Sequence, residues 1–418
     1  MMNKLDYDVV ICGAGPTGAT ASLFLSQSGI RHLIIDQSVF PRPKVCGDSI
    51  TPLCFTILQQ VIPEIQNHFA EKLQVKKMDK IRVYSFNQRF ADLNLFDFVA
   101  EEKNLFYTVS RFVLDDFLVQ HVRQRPEAIL WENSKLEDYN VSGEGVTLQI
   151  VKEGHPIQIS TKMIIAADGA RSVFRKNIFK KPIDRKQMAA VIRTYYKDVT
   201  PSGKCNMFEL YIFENVMPGY FWIFPMADGS YNVGLGITSD VIQSKKINLR
   251  KLMDELIINH QLLKDRFKNA TRVHPIGGAE LPFLTESEPK VSDRRILLAG
   301  DAGSLADPVS GEGIGPGIVS GKYAALAVVQ ALKADDFSAS FLQKYDVTIH
   351  DKITRAYAIR ISLFEWFTKY PWRINSLVRV YPKIRWIRNL LANLIFTRFS
   401  FRDIKSLITL KKLFKNNV

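Results

Sequence analysis

Gly13, Gly15 and Gly18 sit in Cys12-Gly13-Ala14-Gly15-Pro16-Thr17-Gly18, a G-x-G-x-x-G spacing suited to holding a pyrophosphate on backbone N–H groups. The spacing alone is a weak signal, because glycines recur in ordinary turns, so the flanks decide. Tyr7 to Cys12 is an apolar run of the kind a buried parallel strand needs, and Thr17 to Ser28 has the apolar spacing of a helix. Gly13 then permits the tight turn, Gly15 lets backbone approach a phosphate, and Gly18 lets helix and strand pack closely. Pro16 and Thr17 complete the set at the positive end of the helix. A second strand, His32 to Ile35, delivers Asp36, 18 residues after Gly18, close to the spacing at which a carboxylate accepts hydrogen bonds from a ribose. A purely structural glycine turn is the competing reading.

Two later motifs repeat the pattern of an acid at the end of an apolar strand. Ala167-Asp168-Gly169-Ala170-Arg171-Ser172 follows Met163 to Ala167, and Ala299-Gly300-Asp301-Ala302 follows Arg295 to Ala299. The carboxyl end of a strand is where an α/β sheet places ligand contacts, and Asp301 is suited to a ribityl hydroxyl. Taken singly, each aspartate could equally cap a helix. Between Asp307 and Gly317, the residues Gly311, Gly313, Gly315 and Gly317 precede a helix, and Ile314 lies among them. Such a loop exposes N–H groups that can stabilise the charge of a reduced flavin, although a simple surface turn fits the same residues. Ser110-Arg111 opens another helix, where Arg111 could pair with pyrophosphate oxygens or stand exposed. In this order the motifs point to FAD.

These pieces must be brought together across long separations. The strand ending at Ala167 and the strand ending at Ala299 are more than a hundred residues apart, so a second unit is inserted between them. That insert reads as β-rich, with strands at Met188 to Tyr196, Met207 to Phe213, Tyr220 to Pro225 and, after the Asp228-Gly229 turn, Tyr231 to Ile237. Lys80 to Phe96 is expected to join the same sheet. A helix is expected from Asn248 to Phe267, another from Val319 to Leu332, and one long helix from Ser340 to Lys369. The expected division is 1–75, 107–178 and 290–335 for cofactor binding, 76–106 and 179–289 for the β unit, and 336–418 for a basic helical region. The fold class is therefore α/β, a Rossmann-type FAD-binding domain with an inserted, mainly antiparallel sheet and a helical C-terminus.

Composition narrows the setting. Cys12, Cys46, Cys54 and Cys205 show no C-x-x-C spacing, which argues against a disulfide framework or zinc site and fits a reducing, cytoplasmic compartment. No signal peptide is expected before the first strand, and no apolar run is long enough to span a bilayer. The net charge of +14 suggests nucleic acid until its distribution is followed. From Trp366 to Val418 twelve cations face one acid, Asp403, so nearly all of the excess lies in this tail. No nucleic-acid recognition motif accompanies it. Ile384, Ile387, Leu391 and Leu394 follow helical spacing, with Pro382 suited to a first helical position, Arg385 and Arg388 flanking the stripe and Trp386 at headgroup level. The tail is thus expected to dock on the inner face of the cytoplasmic membrane, against the alternative of a basic helix packed on its own protein.

The ordered set resembles the FAD-dependent oxidoreductases with the para-hydroxybenzoate hydroxylase (glutathione-reductase-2) type of fold, and within them the geranylgeranyl reductases. Pro41-Arg42-Pro43-Lys44-Val45-Cys46-Gly47-Asp48 resembles their PxxKxCG segment, and Ser49-Ile50-Thr51-Pro52 the continuation in menaquinone reductases. Tyr220-Phe221-Trp222-Ile223-Phe224-Pro225, then Gly229 and Val233-Gly234-Leu235-Gly236, is similar to their YxWxFP…G…VGxG segment. The resemblance spans roughly residues 5 to 330, and Asp48 departs from the glycine many archaeal members carry. It implies Lys44, Cys46 and Gly47 as cofactor contacts, and Cys46, Gly47, Tyr220 and Trp222 as catalytic-site residues. It further implies a prenylated lipid or quinone substrate, and an electron donor that is NAD(P)H or a ferredoxin-like carrier.

Saturating a prenyl double bond needs a hydride, a proton donor and a dry apolar channel. A thiol such as Cys46 is small enough to give the proton from apolar surroundings, although a buried structural cysteine is also consistent. Tyr220, Trp222 and Phe224 alternate on one strand face, as a wall for a prenyl chain or as ordinary sheet core. Two rival functions stay open: a flavin monooxygenase acting on an aromatic or polyketide substrate, and an FAD-containing lipid or quinone carrier without turnover.

Overall fold

The protein is described by a computed structural model covering residues 6–65, 69, 73–95, 106–179, 184–284, 289–395 and 409. Among the described residues the first sheet has eight strands, with short apolar runs at its centre. Its order is Ser292–Asp293, Ile296–Leu298, His155–Ala166, Tyr7–Cys12, His32–Ile35, Ala128–Trp131, with the strands after Ser292–Asp293 paired in parallel. Val9 to Ile11 and Met163 to Ala166 are fully buried, as strands covered on both faces require. A hairpin of Ser134–Val141 and Val146–Lys152 pairs antiparallel onto His155–Ala166.

Register explains how remote motifs meet. Cys12 pairs with Ala166 and with Ile35, and Ala166 pairs with Leu298, so the chain leaves four neighbouring strands at one carboxyl edge. Gly13, Asp36, Asp168 and Gly300 follow directly. Helix Pro16–Gln27 starts at this edge with proline in its first turn and packs on helix Ile314–Ala334 so closely that a Cβ on Gly321 would overlap the Thr17 carbonyl.

The second sheet runs Thr271–Arg272, Met188–Lys197, Tyr231–Thr238, Gly219–Pro225, Met207–Tyr211, Lys80–Tyr84, Phe90–Asn94, with Gly277–Pro282 also on Met188–Lys197. All these pairs are antiparallel except Met207–Tyr211 with Lys80–Tyr84. A small sheet of Ser49–Ile50, Phe106–Thr108 and Lys76–Met78 is tied to the second by the Thr108 hydroxyl donating to the Pro225 carbonyl at 2.6 Å.

Several expected elements are broken where tertiary contacts intervene. Lys80 to Phe96 does join the second sheet, as a hairpin of Lys80–Tyr84 with Phe90–Asn94 turned at Gln88 with φ +64°; Phe96 lies outside the described residues. The helix beginning after Asn248, whose side chain accepts from the Lys251 N–H, ends at Asn259 rather than Phe267 because His260 turns extended. The long helix from Ser340 to Lys369 is two helices, Ala339–Lys352 and Tyr357–Thr368. Tyr357 donates to the Leu305 carbonyl at 2.8 Å and Arg360 pairs with buried Asp307, which together redirect the second helix onto the 305–307 loop. The helix expected from Val319 starts at Ile314.

Beyond Tyr370, helices Pro371–Val380 and Arg385–Ile395 cover the edge strand Phe90–Asn94. Pro382 lies in the short turn Tyr381–Lys383, one step before the last helix rather than inside it. Ile387 and Leu390 are fully buried against Ala91, Leu93 and Phe367, so this part of the apolar stripe packs on its own protein. Arg398, Arg402, Asp403, Lys405, Lys411, Lys412 and Lys415 lie outside the described residues, as do the side chains of Leu391 and Leu394. Among the described residues no helix is long and apolar enough to cross a membrane.

Candidate active site

Backbone contacts build the phosphate-facing end. Gly13 adopts φ +102°, and a Cβ there would overlap the Ala167 carbonyl; a Cβ on Gly18 would overlap the Gly13 carbonyl. Turn, helix and mid-chain strand therefore touch backbone to backbone, which glycine alone allows. The Thr17 hydroxyl fills the space a Cβ would need on both Gly300 (φ +60°) and Gly317, so the first and third motifs interlock around one side chain.

Charge is concentrated beside Gly15. Arg111 is bidentate to Asp115 at 2.5 and 2.7 Å, and Arg42 approaches the same fully buried carboxylate at 3.2 Å. A Cβ on Gly15 would stand 3.5 Å from an Arg42 nitrogen and 3.9 Å from an Arg111 nitrogen. Asp115 neutralises part of this charge and fixes the two forks, the geometry that suits bidentate anion binding. Ser110 caps the helix carrying Arg111, accepting from the Val113 N–H. Asp36 accepts from the N–H groups of Ala14 and Ser38, both at 2.8 Å, and lines the cavity.

Asp168 and Asp301 face the same space. Asp168 accepts from the Val173 N–H at 3.0 Å through one oxygen, so it does serve a helix start, while its other oxygen is buried without a partner. Burial pushes its pKa up to about 6, against hydrogen bonds from Ser172 and Val173. Burial also raises Asp301, opposed by the charges of Lys44, Arg111 and Arg175. A Cβ on Gly313 would lie 3.2 Å from Asp301 Oδ1, so a side chain there would crowd the carboxylate.

These groups line one continuous cavity of about 1290 Å³ that extends to Cys46, Gly47, Tyr220, Trp222 and Phe224. That exceeds the roughly 300–1,000 Å³ of ordinary ligand pockets, leaving room for a dinucleotide and a second molecule. Trp222 is seated by Gly234, where a Cβ would overlap the indole, and its N–H donates to Asn232 Oδ1 at 2.9 Å. Asn232 in turn donates to the Cys46 carbonyl at 2.9 Å and to Asp48 Oδ2 at 2.8 Å. Tyr195 donates to the same Asp48 oxygen at 2.5 Å, and Arg193 holds the carbonyls of Cys46 and Lys44. Asp48 itself is fully buried at φ +61°, with burial raising its pKa.

Burial likewise raises the Cys46 thiol, with Arg111 opposing, so the sulfur carries its proton at neutral pH. Tyr220 is raised by burial too, and its hydroxyl donates to the Ser310 carbonyl, closing the aromatic wall on the glycine-rich loop. Gly311, at φ +68°, would place a Cβ 3.5 Å from that hydroxyl. On the loop's other side the Thr51 hydroxyl donates to Glu312 Oε1 at 2.9 Å.

Sequence reasoning missed Arg42, Arg193, Tyr195, Asn232 and Glu312. Arg42 and Glu312 lie inside the 41–48 and 307–317 motifs, and for Glu312 a charge within a glycine-rich loop is the available signal. Tyr195 and Asn232 gave none, because strand pairing alone brings them to Asp48.

The sequence matches the FAD binding domain family over residues 6–356. It is 25% identical over 359 residues to a digeranylgeranylglycerophospholipid reductase of Thermoplasma volcanium, covering 84% of each chain. It is 26% identical over 322 residues to a menaquinone reductase of Mycobacterium tuberculosis, covering 76% of this chain and 75% of that one. In fold it is similar to the crystal structure of a geranylgeranyl bacteriochlorophyll reductase-like protein from Thermoplasma acidophilum, with a TM-score of 0.80, 22% identity, and 97% and 99% of the two chains covered. The cradle at Gly13 and Gly15, the unpartnered Asp168 oxygen and the Asp301 carboxylate beside Gly313 fit FAD.

Proposed function

The chain belongs to the FAD binding domain family, and from that premise we propose that this FAD-dependent oxidoreductase saturates C=C bonds in the prenyl chain of a lipid or quinone. One observation carries the reading: the phosphate-facing glycines and the Cys46–Trp222 wall line the same cavity. The names of the reductases it resembles support the substrate class.

In this reading Gly13, Gly15, Pro16, Thr17 and Gly18, with Arg111, hold the pyrophosphate and Asp36 the adenosine ribose. Asp168, Gly169, Gly300 and Asp301 hold the ribityl side, and Lys44, Cys46, Gly47, Gly311, Gly313 and Ile314 surround the ring. Bound there, FAD supplies the hydride equivalent. Cys46, kept neutral by burial, holds a proton at Sγ for the other carbon. Trp222 and Tyr220 orient the chain and exclude water. The Asn232 and Arg193 hydrogen bonds to the Cys46 carbonyl keep the thiol segment from moving.

NAD(P)H or a ferredoxin-like carrier would reduce the cofactor. The excess of cations after Trp366 supports docking at the inner face of the cytoplasmic membrane, where such a substrate resides. Arg379, Lys383 and Arg385 are exposed there.

The test is incubation with prenylated lipids and a chemical reductant without oxygen, followed by product mass. Gain of hydrogen pairs is expected. Gain of oxygen, seen only with air and NAD(P)H, would replace the reading with a hydroxylase, and no product with any donor would replace it with a carrier.

A further inference from the structure

Glu312 is a carboxyl group in a place where an apolar ligand would have to lie against it. The cavity lining includes the apolar residues Leu53, Ile57, Val319, Tyr323, Ile353 and Phe364, which come from three helices and the 353 turn. Glu312 lines the same cavity at the starts of two of these helices: Oε1 accepts from Thr51, just before Pro52–Leu58, at 2.9 Å and packs against Gly315 of Ile314–Ala334, where a Cβ would overlap it. We propose that a neutral prenyl chain lying against these apolar residues binds together with one proton, taken up by Glu312. The identity of the occupant rests on the reductase reading; the proton does not.

The physical ground is desolvation. An ionised carboxylate facing the cavity is hydrated from that side, and a hydrocarbon chain would strip that water without offering a hydrogen bond, which strongly disfavours the charged form. Burial and the charge of Asp307 already bring Glu312 up to about 7, against hydrogen bonds from Thr51 and the Gly315 N–H and the charge of Arg360. The groups facing it do not compete for the proton near neutrality. Cys54, from helix Pro52–Leu58, is pushed up to about 12, and Tyr220 and Tyr357 are raised by burial. Asp307 is engaged with Arg360 in a buried ion pair. Exposed Lys352 also lines the cavity.

Calorimetric titration of the FAD-loaded protein with farnesol, in phosphate and in Tris, reads the proton directly. Glu312 is more fully ionised before binding at pH 8 than at pH 6, so uptake approaching one proton per chain is expected at the higher pH and clearly less at the lower. Affinity should drop roughly tenfold per pH unit above 7. Glu312→Gln should abolish both effects. Thr51→Val, which removes a bond favouring the charged form, should move the midpoint upward, and it keeps the test alive if the glutamine variant does not fold. Buffer-independent heats at pH 8, uptake that persists in Glu312→Gln, or no farnesol binding at either pH would overturn the proposal. A protein that takes up the proton with farnesol yet saturates no prenyl bond would instead overturn the reductase reading alone.

Discussion

The indole N–H of Trp222 donates to Asn232 Oδ1 at 2.9 Å, and through Asn232 the aromatic wall is bonded to the backbone of Cys46 and the carboxylate of Asp48. One amide thus sets the position of the proposed proton donor relative to the proposed substrate wall. Asn232→Leu leaves the indole N–H, the Cys46 carbonyl and Asp48 short of partners. Unfolding in urea should show a loss of about 1–3 kcal/mol. Turnover should fall more than FAD content; equal losses in both would mean that Asn232 serves the fold alone.

Asp115 holds two guanidinium groups beside Gly15. Asp115→Ala leaves the part-buried Arg42 and Arg111 without their counter-charge, a change whose cost is bounded by the about 3–5 kcal/mol of a fully buried pair. The purified variant should carry little FAD, read as the ratio of flavin to protein absorbance. Full FAD occupancy would show that the pair is not placed by Asp115.

Gly13→Ala should be worse than its size suggests. The new methyl would overlap the Ala167 carbonyl, and the residue would be strained at φ +102°. Loss of FAD retention is expected, whereas Gly154→Ala, at φ +84° with nothing within 4 Å, should keep FAD. Similar FAD retention by the two would remove the role assigned to the first turn.

Asp168 gives a pH signature. Its folded pKa of about 6 lies above the ordinary carboxylate value, so the folded state binds this proton more tightly than the unfolded chain. Its contribution is fully present below the unfolded pKa and is lost as pH rises through about 6. In FAD-stripped protein the melting temperature of Asp168→Asn should therefore gain on the wild type from pH 5 to pH 7. A difference that stays flat would contradict the burial of this carboxyl.

At the C-terminal region, reversing exposed Arg379, Lys383 and Arg385 to Glu should reduce co-sedimentation with anionic vesicles, each change weakening attraction by about 1 kcal/mol or more. Unaltered binding to those vesicles would remove these three cations from any docking role.

Local chemistry was legible in the sequence where it acts locally. Ser110 and Asn248 cap the helices they were expected to open, and the alternating Tyr220, Trp222 and Phe224 share one face, because caps and strand alternation depend on adjacent residues. The break at Ile353 was not legible, since it depends on Tyr357 reaching Leu305 and Arg360 reaching Asp307, about fifty residues upstream. The same holds for the last helix. Its apolar spacing was visible, but that Ile387 and Leu390 find Ala91 and Leu93 is a matter of tertiary packing. Asp48 looked like a departure from a glycine position, and only the pairing of Met188–Lys197 with Tyr231–Thr238 brings Tyr195 and Asn232 to it.

In the proposed reaction cofactor and substrate share one cavity, so a single experiment can follow both at once. The FAD-loaded protein is chemically reduced under argon and mixed with a prenylated lipid, while flavin absorbance and product mass are followed together. Oxidised flavin should return without oxygen, in step with lipid that has gained one hydrogen pair per flavin. Flavin that stays reduced until air is admitted, with the lipid unchanged, would contradict it.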